Sequence, residues 1–137
     1  EILDPSIEFR FHCTGCGRCC AGAGEHFVEV TRVEQRRIQR FLGLSWRWFR
    51  RRYVTAYADG TEGLRWERNR CVFLDEASRC RVYPVRPAQC RHYPYWPELV
   101  RSPGAWCREA RRCEGIGRGA VVALSRVRAA LRAQRKK

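Results

Sequence analysis

Four cysteines crowd into one short stretch near the start of the chain, Cys13-Thr-Gly-Cys16-Gly-Arg-Cys19-Cys20, and this cluster limits the fold more than any other feature. A loop that returns a sulfur at every third residue gathers thiolates on one side. That suits a shared metal centre and strains internal disulfides. The chain has 9 cysteines, the others being Cys71, Cys80, Cys90, Cys107 and Cys113. An odd number cannot pair completely, so metal ligation in a reducing compartment is favoured over a secreted disulfide framework. Gly15 and Gly17 supply the backbone freedom that turns amide groups toward sulfur, and Arg18 adds positive charge beside the thiolates.

The first three cysteines match the opening of a bacterial ferredoxin run, but the later Cys-Pro of that pattern is absent. Cys20 instead follows Cys19 directly. Adjacent side chains diverge, so the doublet points to two neighbouring centres, or to one centre and a spare thiol; two is the favoured count. Cys71, Cys80 and Cys90 are too loosely spaced for a zinc knuckle. They become ligands only if the fold carries them to the N-terminal cluster, with metal replacing core that a small chain cannot build. Cys107 and Cys113 compete for the last place, and Cys113 completes a set of eight sulfurs. His12 and His92 flank ligand candidates and could substitute for a cysteine or hydrogen-bond to sulfur, with His26 as the remaining borderline donor.

Between the cysteines the pattern predicts a small, loop-rich α+β fold stapled by metal, one domain over 1–137. Phe9-Arg10-Phe11 alternates like a short strand. Thr31-x-x-Glu34 is a capping box opening a helix with Val33, Ile38, Phe41 and Leu42 inward and Gly43 as its stop. Ser45 caps a second helix through Trp46 and Phe49 to Tyr53. Asp59-Gly60 is a turn. Leu64–Trp66 and Cys71–Leu74 read as a hairpin turning at Asn69, with Arg81–Tyr83 as a further strand. Pro87 opens a helical turn through Cys90. The rigid aromatic run Tyr93-Pro94-Tyr95-Trp96-Pro97 is expected to pack against the metal loops. Gly115-x-Gly117-x-Gly119 imitates a dinucleotide fingerprint without the βαβ context, so it reads as a loop. It leads into a basic amphipathic helix over about 118–135, with Val121, Leu124, Val127 and Leu131 on one face. No Ser-His-Asp or H-E-x-x-H arrangement is visible.

The formal charge is +14, and of 28 basic residues only Lys136 and Lys137 are lysines. Two four-thiolate sites, each of net charge −2, would leave about +10, so the surface stays strongly basic whichever metal is bound. Such a surface attracts polyanions, which makes RNA or a ribonucleoprotein a partner to consider alongside a protein assembly. No helix-turn-helix, KH or RRM signature accompanies it. No apolar run reaches the ~18 residues of a membrane span, and no secretory start is present. The cysteine reading places the chain in a reducing intracellular compartment, either the bacterial cytoplasm or an organelle matrix.

The ordered combination of Cys13-x2-Cys16-x2-Cys19-Cys20, Cys71-Val-Phe-Leu74, and Cys80-Arg-Val-Tyr83-x2-Arg86-Pro87-x2-Cys90-Arg91-x-Tyr93-Pro94 resembles the CxxCxxCC cysteine-cluster family of zinc- or iron-chelating proteins. The stretch from Trp106 to Gly117 resembles the closing segment of some members. The resemblance implies that Cys13, Cys16, Cys19, Cys20, Cys71, Cys80, Cys90 and Cys113 are the metal ligands, with Cys107 outside the pattern. It also implies either an iron–sulfur cluster, of the 4Fe–4S type, or Zn²⁺, in one or two centres. A related cysteine domain occurs in flagellin lysine methylase, which associates such a cluster with S-adenosylmethionine-dependent methyl transfer. Three functions are therefore in view: a metal-holding component of a larger assembly, an iron–sulfur enzyme or subunit in redox or methyl transfer, and a basic component of a ribonucleoprotein. Metal delivery is disfavoured, because interlocked ligands from distant parts of a chain do not release metal easily.

Overall fold

Local signals set the order of elements: β1 (Arg10–Phe11), β2 (Val28–Glu29), α1 (Arg32–Leu42), α2 (Trp46–Tyr53), β3 (Val54–Ala56), β4 (Glu62–Leu64), β5 (Trp66–Glu67), β6 (Arg70–Cys71), α3 (Ala88–His92), α4 (Pro97–Val100), α5 (Pro103–Arg112), β7 (Ile116–Val121) and α6 (Leu124–Arg135). They come from a computed structural model that describes residues 2–14 and 28–135. The class is a small α+β fold of short antiparallel strand pairs and helices. Two compact units divide it, one built from both ends of the chain and the other from the middle, up to Arg91.

In the middle unit, α1 starts at the expected capping box, with Thr31 accepting from the Glu34 amide and Glu34 accepting from the Thr31 amide. It ends at Gly43, whose φ of 69° is the left-handed conformation that glycine adopts without strain. Ser45 caps α2. Strands β2, β4 and β3 form an antiparallel sheet with Val28 and Val54 opposite Leu64. Ile38, Phe49, Leu64 and Phe73 are fully buried between the helices and this sheet, and the Tyr53 ring lies 4.7 Å from Phe73.

Three expectations here need correction. Val33 and Phe41 do not face inward; they are 63% and 49% exposed. Glu34 and Gln35 hold the inward positions beside Ile38, because their polar atoms all find partners. The hairpin at Asn69 exists but is only β5 and β6, its two-residue turn formed by Arg68 and Asn69 at positive φ. Leu64 belongs to the three-stranded sheet instead. Arg81–Tyr83 is not a strand: Tyr83–Val85 is a 3-10 turn, since Pro84 has no amide to give a ladder.

The other unit pairs β1 with β7 across nearly the whole chain length. The pairing carries a pronounced bulge, Arg10 lying opposite Val121 and Phe11 opposite Ile116. Gly117 and Gly119, at φ of 93° and 84°, make that detour. The glycine run read as a loop is thus a strand, and the final helix begins at Leu124 rather than near 118. Val127 and Leu131 are buried, whereas Val121 lies exposed in the strand. Phe9 packs edge-on to Trp106 at 4.9 Å, with Tyr93, Val100 and Ile116 completing this core. Among the described residues no helix is long and apolar enough to cross a membrane.

Candidate metal centre

Cys71 ends the β5–β6 hairpin opposite Trp66 and is buried in the core of the middle unit. Its carbonyl accepts from the Leu74 amide, and Leu74 in turn pairs with Cys80 across an antiparallel bridge. The loop between them is closed by Asp75, whose carboxylate accepts from the amides of Ala77 and Arg79. Ser78 sits at positive φ in that loop. Cys71 and Cys80 are therefore consecutive points on one hydrogen-bonded frame.

Cys90 reaches the same core from α3. This short helix is anchored by a residue far away in sequence: Glu34 of α1 accepts from the Ala88 amide at 2.5 Å with one carboxylate oxygen and from the Thr31 amide at 2.9 Å with the other. One buried carboxylate thus caps α1 and holds the start of α3. The Gln89 side-chain oxygen adds a bond from the Glu29 amide. Cys71, Cys80 and Cys90, widely separated in sequence, all lie against one set of buried apolar side chains.

In the other unit, β1 leads into Cys13, and its exit is stitched to the segment that follows Cys113. The His12 amide donates to the Gly115 carbonyl at 3.0 Å, and the Thr14 hydroxyl donates to Glu114 at 2.5 Å. Gly115 is required by this approach, because a Cβ there would stand 2.4 Å from the His12 carbonyl oxygen. Cys113 caps the C-terminus of α5 and is buried, while Cys107 projects from α5 into solvent. The Tyr93 hydroxyl donates to Glu109 and hydrogen-bonds with the Cys113 sulfur. Burial first, then Glu109 and Cys113, hold that phenol protonated well above the usual tyrosine range.

Of the eight expected ligands, Cys16, Cys19 and Cys20 lie outside the described residues, as do Gly15, Gly17, Arg18 and His26. His12 is exposed, and His92 is half-buried at the end of α3. Among the described residues no three His, Cys, Asp or Glu side chains form a group able to hold a metal, and no disulfide joins any two of the six described cysteines. The donor chemistry fits a thiophilic metal, since thiolate sulfur is a preferred ligand of both zinc and iron. The aromatic run beginning at Tyr93 packs largely into its own unit's core against Phe9, Phe11 and Trp106, with Tyr93 as its link to Cys113. Sequence reasoning missed the roles of Glu34 toward α3 and of Tyr93, Glu109 and Gly115. Only the capping box gave a signal, and it accounted for half of what Glu34 does.

The cysteines spread over both units are the feature that this chain shares with a class of metal-chelating domains. The chain belongs to the CxxCxxCC family, described as a "putative zinc- or iron-chelating domain", which matches residues 12–114. It is 31% identical over 86 residues to an uncharacterized protein of Methanocaldococcus jannaschii, a stretch covering 62% of this chain and 44% of that relative. The chain therefore spans less than half the length of that relative. No solved structure matches it.

Proposed function

We propose that the chain is a metal-holding module whose ligands are Cys13, Cys16, Cys19, Cys20, Cys71, Cys80, Cys90 and Cys113. We further propose that they bind iron as an iron–sulfur cluster, with Zn²⁺ as the alternative. The observation that carries this reading is that Cys71, Cys80 and Cys90 all pack against one core, the first two on one hydrogen-bonded frame and the third on α3. The ferredoxin-like spacing of Cys13, Cys16 and Cys19 favours the cluster over zinc. Burial supports Cys113 over Cys107 as the last ligand. On this reading metal links 1–137 into one domain. A cluster would supply one-electron chemistry when bound, and zinc would supply only a structural tie. We place this module within a larger assembly.

Three serine variants test the ligand set. Cys16→Ser and Cys80→Ser should each lower metal content and melting temperature, whereas Cys107→Ser should leave both at the wild-type level. Unchanged metal content and melting in both of the first two would overturn the assignment.

A further inference from the structure

Helices α1 and α2 present a basic surface that the metal reading does not use. On α1, Val33, Arg36, Arg37, Arg40 and Phe41 are all exposed, and their spacing places them along one helical stripe. On α2, Arg47, Trp48, Arg51 and Arg52 are exposed in the same manner. The two helices touch where the Arg36 guanidinium stacks 3.9 Å over the half-buried Trp46 ring, at the start of α2 beside its exposed stripe. The only acidic side chain on either helix is Glu34, and it is buried with both oxygens on backbone amides.

Among the described residues, most arginines of this segment have no acidic side chain to neutralise them. Arg32 and Arg50 share Glu62, and Arg52 pairs with Glu67. Arg36, Arg37, Arg40, Arg47 and Arg51 have no acidic partner among the described residues. The large rings beside them, Phe41 and Trp48, are about half exposed, although the core of this unit has its own aromatic set in Phe49, Tyr53 and Phe73.

We propose that this α1–α2 face binds single-stranded RNA. Its guanidinium groups would take the phosphates, and Trp48 and Phe41 would take unstacked bases, the combination by which single-stranded nucleic acid is held without a sequence motif. The face has arginine rather than lysine throughout, and arginine also stacks on bases. An anionic membrane surface would attract the same charge. However, Val33, Phe41 and Trp48 are separated by arginines and form no continuous apolar face to insert. The inference does not depend on which metal the cysteines hold.

The test uses the full chain, purified with its metal, and a fluorescently labelled oligouridylate whose binding is followed by anisotropy across a salt series. A combined Arg37→Gln, Arg40→Gln, Arg47→Gln variant is compared with a charge-matched control, Arg101→Gln, Arg118→Gln, Arg132→Gln, which removes exposed arginines elsewhere. Each single-strand phosphate contact contributes about 0.7 to the slope of log affinity against log salt, so the α1–α2 variant should lower that slope by about 2 and the control should not. Trp48→Ala should weaken binding about tenfold with the salt slope unchanged, as loss of one stacked base does. Retained metal content and melting temperature identify variants that remain folded, and Trp48→Ala serves if the triple variant does not. Equal losses in variant and control would overturn the proposal, showing only diffuse charge attraction. Absence of RNA binding at low salt would overturn it, as would binding to anionic phospholipid vesicles in place of RNA.

Discussion

Glu34→Ala removes one buried carboxylate that two separate elements use. Its oxygens accept from Thr31 at the start of α1 and from Ala88 at the start of α3, and the residue is 7% exposed. Loss of its half of the capping box, the bond from the Thr31 amide, costs about 1 kcal/mol, while the Thr31 N-cap itself remains. The Ala88 amide loses a charged acceptor in a sparsely hydrated place, which adds about 1.5–3 kcal/mol. The combined loss of about 2.5–4 kcal/mol is a large part of a small domain's stability. Glu34→Gln keeps one acceptor oxygen and should lose about half as much. Urea unfolding of the metal-loaded protein, with unchanged m-value, measures the difference. Because α3 carries Cys90, metal content should fall in the same order: wild type, then Gln, then Ala. A loss below about 1 kcal/mol for Glu34→Ala would refute the idea that this carboxylate anchors α3, since the capping-box bond alone accounts for that much.

Two further perturbations probe the rest of the frame. Gly115→Ala would force backbone atoms apart at the His12 carbonyl and weaken the bond from the His12 amide, so a loss of about 2–4 kcal/mol is expected in thermal or urea unfolding. Glu62 is held ionised well below the usual carboxylate range by hydrogen bonds from Arg50, then Arg32, then Gln35. A depressed folded pKa contributes stability that is present above the unfolded value of about 4.3 and lost as pH falls below it. Wild-type stability should therefore decline on acidification from about that pH, and Glu62→Gln should be less stable at neutral pH with a flatter acid limb.

Features that depend on neighbours in sequence were legible without coordinates. The Thr31–Glu34 box, the Ser45 cap, the Gly43 stop and the Asp59-Gly60 turn each set their own backbone within a few residues, and all appear where expected. The misplaced features have distant causes. Gln35 turns inward because Arg50 and Glu62 meet it there, which left Val33 and Phe41 to solvent. The β7 strand was hidden because its partner lies at the other end of the chain and its glycines carry a bulge rather than a regular alternation. In the candidate site, Cys71, Cys80 and Cys90 were too loosely spaced for the sequence to group them, and it could not show what aligns them. That role falls to Asp75 in the loop before Cys80 and to Glu34 at the start of α3. The competition between Cys107 and Cys113 could not be resolved along the chain. The phase of α5 separates them, turning Cys107 to solvent and leaving Cys113 buried beside Tyr93.

The most direct measurement is metal and acid-labile sulfide analysis, with an absorption spectrum, on protein purified without oxygen. The account predicts a brown protein with iron and sulfide in near-equal amounts, lost together in Cys80→Ser. A colourless protein carrying zinc and no sulfide would contradict the iron–sulfur assignment. A protein with no bound metal, in which all the cysteines react freely with a thiol reagent without loss of fold, would contradict the central claim that metal-bound cysteines hold this domain.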